Sequence, residues 1–281
     1  MKIAIIGYGF VGKALENGLT DSVNVYKVDP KLGTQIIDLI DFKPNAIFIC
    51  LPTPMKDDLS QDISIVLKAL DELNKIDLGS LVVLKSTVLP NYIKEIKDSS
   101  PNIIYNPEFL RENHSSDDFI NSNLIVFGGG ENSTKLLANI YKNYTKCLCK
   151  EYIYTDLVTA SFVKYTINSY LATKVTFFNE LNQLFGEAEA LESWDNFTSI
   201  ISRDPRIGKS HMKVPGPDGR FGFGGSCFPK DTNAFSSYAD SLRKPLNVLK
   251  KAIKTNNKIR AGYNSVTERE SEQNISFKGD V

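Results

Sequence analysis

The chain has 281 residues, 42% of them hydrophobic, enough for one large domain or two smaller ones whose cores need neither metal nor disulfide. Lys plus Arg and Asp plus Glu both number 33, so no net field draws the chain to nucleic acid or to an anionic membrane surface. Cys50, Cys147, Cys149 and Cys227 lack metal-ligand spacing, and neither a membrane-length apolar run nor a signal peptide is legible, which makes a soluble cytoplasmic protein the expectation.

Residues 2–6 predict a strand buried on both faces of a parallel sheet, since apolar residues fill both registers. Gly7-Tyr8-Gly9-Phe10-Val11-Gly12 follows at once and runs into a helical pattern. Such a glycine set means little alone. Between strand and helix it offers what a dinucleotide pyrophosphate needs: a tight turn, close approach and a helix N-terminus. The second strand-like run ends at Asp29, 22 residues after Gly7. A carboxylate there accepts ribose hydroxyls and repels a 2′-phosphate, which favours NAD over NADP.

Further strand-like runs lie at 45–50, 81–85, 102–105, 124–128 and 152–154, with helical patterns such as 62–74 and 132–143 between them. The alternation predicts an α/β, Rossmann-like doubly wound parallel sheet over residues 1–155, with ligands at the carboxyl ends of the strands. Three such ends carry Thr53 before Pro54, Thr87 between Ser86 and Val88, and the run Asn106 to Glu112. The Thr53 and Thr87 hydroxyls suit a nicotinamide ribose or a bridging water, and a capping or turn role explains either equally.

From Asp156 one helix without proline is expected over 156–190, as a spine between domains or a dimer interface. Lys164 and Asn168 are four apart and share one face, an ammonium and an amide able to donate to one oxygen. Taken singly, Lys164 reads as readily as a solvated surface lysine. A helix over 193–203 leads to Asp204-Pro205-Arg206 and a loop carrying Lys209, Lys213 and Arg220, read as a mobile cationic flap over an anionic substrate or as an ordinary surface loop. The stretch Phe221–Thr232 (FGFGGSCFPKDT) then places Cys227 after a run of glycines, with Lys230 and Asp231 just beyond. Glycines let backbone fold closely around a ligand, and a thiol beside a cation is partly ionised and nucleophilic, whereas an isolated cysteine is usually a small buried thiol. Residues 233–261 predict helix, completing a smaller all-α domain over 156–261, and 262–281 predict a polar, frayed tail.

Together these stretches resemble the UDP-glucose/GDP-mannose dehydrogenase family: GYGFVG with Asp29, Thr53-Pro54, Ser86-Thr87-Val88, NPEFLRE at 106–112, KYTINSYLATK at 164–174, DPRIG at 204–208 and FGFGGSCFPKD at 221–231, in the family's order. The resemblance implies oxidation of a nucleotide sugar's primary alcohol to the carboxylate, UDP-glucose to UDP-glucuronate in type, with two NAD in succession. It implies that Cys227 adds to the aldehyde and carries a thiohemiacetal and then a thioester. Lys164 and Asn168 would stabilise the oxyanion, Asp231 with Thr87 would serve water or proton transfer, and Glu112 would serve hydrolysis near the nicotinamide. Glu108, Phe109, Leu110, Phe221 and Gly224 would line the sugar site, and Arg206 would reach a neighbouring subunit's site in a homodimer built on the long helix. Gly7, Gly9, Phe10, Val11, Gly12, Asp29, Thr53, Thr87, Glu112 and Lys230 would contact NAD. Family members continue into a second α/β domain that holds the nucleotide end of the substrate, and this sequence is expected to lack it. The same chemistry on a smaller sugar or sugar phosphate, or a non-catalytic NAD-binding dimer, therefore stays open.

Overall fold

The computed structural model describes residues 1–277. They fall into two compact units, Met1–Thr53 with Asp62–Lys164, and Pro54–Gln61 with the chain from Tyr165 onward. The division lies inside the long helix, whereas the sequence placed a domain boundary at 155/156.

In the first unit, strands β1 (Lys2–Ile6), β2 (Asn24–Val28), β3 (Ala46–Ile49), β4 (Leu81–Leu84), β5 (Ile104–Tyr105), β6 (Val126–Gly128) and β7 (Ile153–Thr155) form one sheet in the order β2-β1-β3-β4-β5-β6-β7. Helices α1 (Phe10–Asn17), α2 (Leu39–Phe42), α3 (Ser64–Ile76), α4 (Pro90–Ser99), α5 (Ser115–Ile120) and α6 (Glu131–Tyr144) connect them. The pairings are parallel except that of β5 with β6, made through the single pair Tyr105–Gly128, so the sheet is mostly rather than wholly parallel.

The strand alternation sorts side chains into two layers. Ile3, Ile5, Phe48, Val83 and Phe127 pack with Ala14 and Leu15 of α1 and Leu137 and Tyr141 of α6. Ala4, Ile6, Ile47, Ile49 and Leu84 pack with Val66 and Leu70 of α3 and Ile93 and Ile96 of α4. Each buried Ile, Leu, Val or Phe among them contributes roughly 1.5–3 kcal/mol, and covering both faces is why the strands read as unbroken apolar runs. The order reverses between β1 and β3, so the loop after β1 opens at the switch point where doubly wound sheets bind ligands.

The long helix α7 (Leu157–Glu187) is followed by α8 (Trp194–Ile201), α9 (Phe228–Ser241), α10 (Asn247–Arg260) and α11 (Glu268–Glu272), and no strand belongs to this second part of the chain among the described residues. Tyr165 stacks on Phe235 of α9 with ring centroids 5.5 Å apart, and Gln61 Nε2 donates to the Tyr165 hydroxyl. The continuous helix expected over 233–261 is two helices. Arg243 adopts φ +56° and Pro245 cannot donate, so α9 stops at Ser241 and α10 starts at Asn247. The frayed tail expected over 262–281 is also corrected through residue 275. Thr267 and Glu270 form a capping box, Glu270 and Ile275 are buried, and Asn274 Nδ2 donates to Met55 O. Residues 278–281 of that expectation lie outside the described residues. The expected flap over 209–220 is anchored, with Trp194 Nε1 donating to Met212 O and Arg220 Nη1 to Ser265 O.

Candidate functional site

The loop after β1 has the shape its glycines allow. Gly7 sits at φ +89°, and a Cβ there would lie 2.7 Å from Cys50 O, so only glycine fits where β1 and β3 diverge. A Cβ on Gly12 would meet Gly7 O at 2.4 Å, which lets α1 seat against the turn. Gly9 has open space where its side chain would be, and as N-cap of α1 it supplies no capping group, so the amides that begin at Phe10 and Val11 face an unobstructed approach. Asp29 Oδ2 accepts from Tyr8 N at 2.7 Å, fixing the carboxylate of β2's end against the glycine turn. Burial, helped by the bond the Tyr8 hydroxyl donates to Glu16, pushes that hydroxyl's pKa up to about 12. These residues fit a dinucleotide: space for pyrophosphate at Gly9, a helix start behind it and a carboxylate for the ribose.

At the other strand ends, Thr53 is buried and its hydroxyl donates to Thr87 O at 2.8 Å, so the proton expected for a ribose is committed to backbone. Glu108 is buried, and its Oε1 accepts from Lys164 Nζ at 3.0 Å while Oε2 accepts from Leu110 N at 2.7 Å. Lys164 is also buried, donates to Glu108 O at 2.6 Å and lies 5.5 Å from the Phe109 ring centroid. The solvated-lysine alternative is thereby excluded. Glu112 opens a short 3-10 turn, half-buried, next to the exposed pair of Arg111 with Asp118.

A buried network behind this turn was not legible in the sequence. Lys85 Nζ and the Tyr141 hydroxyl both donate to Asn106 Oδ1, at 2.9 and 2.5 Å, and Asn106 Nδ2 donates to Val126 O. Burial lowers the Lys85 ammonium pKa, opposed by Cys50 and Glu108. Burial pushes the Cys50 thiol up to about 12 and raises that of Cys147, outweighing the nearby Lys85 charge. Iodoacetamide at about pH 8 is therefore expected to label Cys227 while leaving Cys50 and Cys147 unmodified, as read by peptide mass mapping. Labelling of Cys50 as fast as Cys227 would contradict this assignment.

In the second unit, Cys227 is half-buried at the N-cap of α9, and its carbonyl accepts from Asp231 N at 2.9 Å. Asp231 is buried one turn into that helix. Its Oδ2 accepts from Asn168 Nδ2 at 2.6 Å and its Oδ1 from Lys230 Nζ at 2.5 Å. The structure thus joins Asn168, Asp231 and Lys230 beside the cysteine's helix turn, and Lys164 with Glu108 and Phe109 in the first unit. Lys164 and Asn168, expected to donate to one oxygen, each donate to a carboxylate here. Arg206 is exposed and donates to its own Asp204 through Nε and Nη2.

The glycine-rich approach to Cys227 is held from outside. Phe221 N donates to the Tyr263 hydroxyl at 2.7 Å, Gly222 N to Asn179 Oδ1 at 2.8 Å, Phe223 N to Asn256 Oδ1 at 2.6 Å and Gly225 N to Glu270 Oε1 at 3.0 Å. None of these four acceptors stood out in the sequence. The Thr267-x-x-Glu270 capping-box pattern was the one available signal.

Residues 13–145 match the NAD binding domain of the UDP-glucose/GDP-mannose dehydrogenase family, and residues 158–258 match that family's central domain. The chain belongs to this family. It is 34% identical over 261 residues to a UDP-glucose 6-dehydrogenase of Rickettsia typhi, covering 90% of this chain and 56% of that protein. It is 32% identical over 225 residues to a UDP-glucose 6-dehydrogenase of Bacillus subtilis, covering 76% and 49%. Among solved structures, a UDP-glucose dehydrogenase from the archaeon Pyrobaculum islandicum superposes with a TM-score of 0.72 at 27% identity, covering 92% of this chain and 68% of that one. The chain spans about half the length of the curated relatives it matches. Asp29 lies within the segment that matches the NAD binding domain, which begins directly after the glycine turn at 7–12, and Asn168 and Cys227 lie within the segment that matches the central domain.

Proposed function

We propose that the protein takes part in NAD-dependent four-electron oxidation of a nucleotide sugar's primary alcohol to the carboxylate, with Cys227 as the covalent nucleophile. The observation that carries the reading is Cys227 at the start of α9 with the Asn168–Asp231–Lys230 network one turn on, in a chain of this family. NAD, when bound, accepts a hydride at each of the two oxidation steps. The residues that would hold it are Gly7, Gly9, Phe10, Val11, Gly12 and Asp29, with Thr53, Thr87 and Glu112 of the first unit toward the nicotinamide end; Lys230 of the second unit is a further proposed contact.

The remaining roles belong to side chains. The Cys227 thiolate, favoured near a helix N-terminus, adds to the aldehyde carbon, and the carbonyl oxygen becomes an oxyanion that takes a proton in the thiohemiacetal. Lys164 and Asn168 donate to that oxygen, each such donor being worth roughly 3–4 kcal/mol in other enzymes. After the second oxidation the thioester is hydrolysed: water attacks, the C–S bond breaks, and the thiol leaves with a proton. Asp231, held by Asn168 and Lys230, orients that water, and Thr87 and Glu112 assist proton transfer. Glu108, Phe109 and Leu110 in the first unit, and Phe221 and Gly224 in the second, are each proposed to contact the sugar. This chemistry needs a reduced thiol, consistent with a cytoplasmic setting. No helix among the described residues is long and apolar enough to cross a membrane.

The test is NADH formation with UDP-glucose, alongside GDP-mannose and glucose 6-phosphate. Two NADH per UDP-glucose support the reading. Turnover of glucose 6-phosphate alone transfers the same chemistry to a smaller substrate, and NAD binding with no turnover overturns it in favour of a non-catalytic NAD-binding protein.

We further infer that a second copy covers α7, with Arg206 reaching the partner's site. Tyr170, Phe177 and Leu184 repeat every seven residues, and each is more than half exposed at 62%, 56% and 65%. Such spacing keeps them on one face over successive pairs of turns. Phe177→Arg is expected to convert a dimer to a monomer in sedimentation, and a monomeric wild type would overturn the inference.

A further inference from the structure

The loop before Cys227 is held by residues that lie beyond the segment matching the family's central domain, residues 158–258. Arg260 and Glu270 are both buried. Arg260 Nη1 donates to Asp218 Oδ2 at 2.7 Å and Nη2 to Glu270 Oε1 at 2.7 Å. The same Oε1 accepts from Gly225 N at 3.0 Å, and Oε2 accepts from Thr267 N at 2.7 Å. Gly224 leaves no room for adjustment, since a Cβ there would lie 1.9 Å from Arg260 Nη2 and 2.4 Å from Glu270 Oε1. One carboxylate therefore ties together the start of α11, the last residue of α10 and a backbone amide two residues before the cysteine.

We propose that Glu270 is a positioning residue for Cys227, fixing through Arg260 and the Gly225 amide the turn 222–225 from which the thiol is presented. A buried ion pair is weak evidence for stability, because desolvation offsets the attraction. What charge-assisted bonds add is direction. Gly222 and Gly225 adopt φ +77° and +79°, a region glycine enters and leaves at little cost, so this turn needs outside acceptors to keep one conformation. Burial raises the Glu270 pKa, but the backbone donors Thr267 and Gly225 and the Arg260 charge bring it below the ordinary value, so the strut carries its charge at neutral pH. The proposal rests on Cys227 being the reactive thiol, and its decisive readout does not require turnover.

The experiment compares the full chain with Glu270→Gln and Glu270→Asp by timed iodoacetamide labelling and peptide mass mapping, with Cys149 of the first unit as internal reference. With the strut released, Glu270→Gln is expected to raise the Cys227 labelling rate by about threefold or more while the Cys149 rate stays put, a local rather than global opening. In NADH assays the KM for UDP-glucose is expected to rise by a larger factor than kcat falls. Glu270→Asp, which keeps the charge, is expected to restore most of both. If Glu270→Gln does not fold, Arg260→Lys, which keeps a charge but not the fork that bridges Asp218 and Glu270, is read by the same labelling criterion. In Glu270→Gln or Arg260→Lys, a Cys227 rate equal to wild type, or a rise shared equally by Cys149, overturns the proposal. A wild type that never turns over sinks the dehydrogenase reading instead, and the labelling ratio still decides the role of Glu270.

Discussion

Cys227→Ser is expected to lower NADH formation from UDP-glucose by about 10³-fold or more, the scale on which losing a nucleophile is felt, while NAD binding stays unchanged. The serine hydroxyl has nearly the same size, so the N-cap position of α9 and the Asn168–Asp231–Lys230 bonds should persist. What is lost is reactivity: at neutral pH a thiol supplies a few per cent of a strong nucleophile, and a hydroxyl without a dedicated base supplies almost none. Without covalent capture the aldehyde has no tetrahedral adduct from which a second hydride can leave. A single turnover should then stop after one NADH, and trapping the sugar product as an aldehyde adduct would show where. Should the variant still deliver two NADH per sugar at a comparable rate, the thioester route is wrong and hydration of the aldehyde must take its place.

Much of the nucleotide half was legible because its physics is local. A strand apolar on both faces, glycines where Cβ atoms would strike Cys50 O and Gly7 O, and a carboxylate at the end of β2 follow one another within 29 residues. Cys227, Lys230 and Asp231 were legible for the same reason, being nearly adjacent in sequence. What stayed hidden depends on distant pairings. Lys85 reaches Asn106 and Tyr141, Asn256 holds Phe223, and Glu270 holds Gly225 across 45 residues, and no period or motif announces such partners. The helix breaks at 242–246 could have been read from Pro245, but the apolar periodicity on either side masked them. The tail misled for another reason. Its polar composition suggests solvent, yet Glu270 is buried because its charge meets an arginine and two backbone amides rather than water.

The same rule, that a buried charge is tolerable only with its partner, sets the second large effect. Lys164→Met is expected to destabilise the protein by roughly 3–5 kcal/mol, because it leaves Glu108 as an uncompensated carboxylate with its side chain 6% exposed. For a chain of this size that corresponds to a fall in Tm of roughly 10 °C, readable by calorimetry or circular dichroism. Activity is expected to fall by about 10²–10³-fold as well, through loss of an oxyanion donor. The two losses have different origins and can be separated. In the double variant Lys164→Met with Glu108→Gln, the buried site holds a methionine and a neutral amide that can still accept from Leu110 N, so most of the stability should return. Turnover should not, since no ammonium is restored. Recovery of stability with continued inactivity would separate the catalytic role of Lys164 from its structural one. If turnover returned together with Tm, the lysine would only be holding the 106–112 turn in place, and the oxyanion assignment would pass to Asn168 alone.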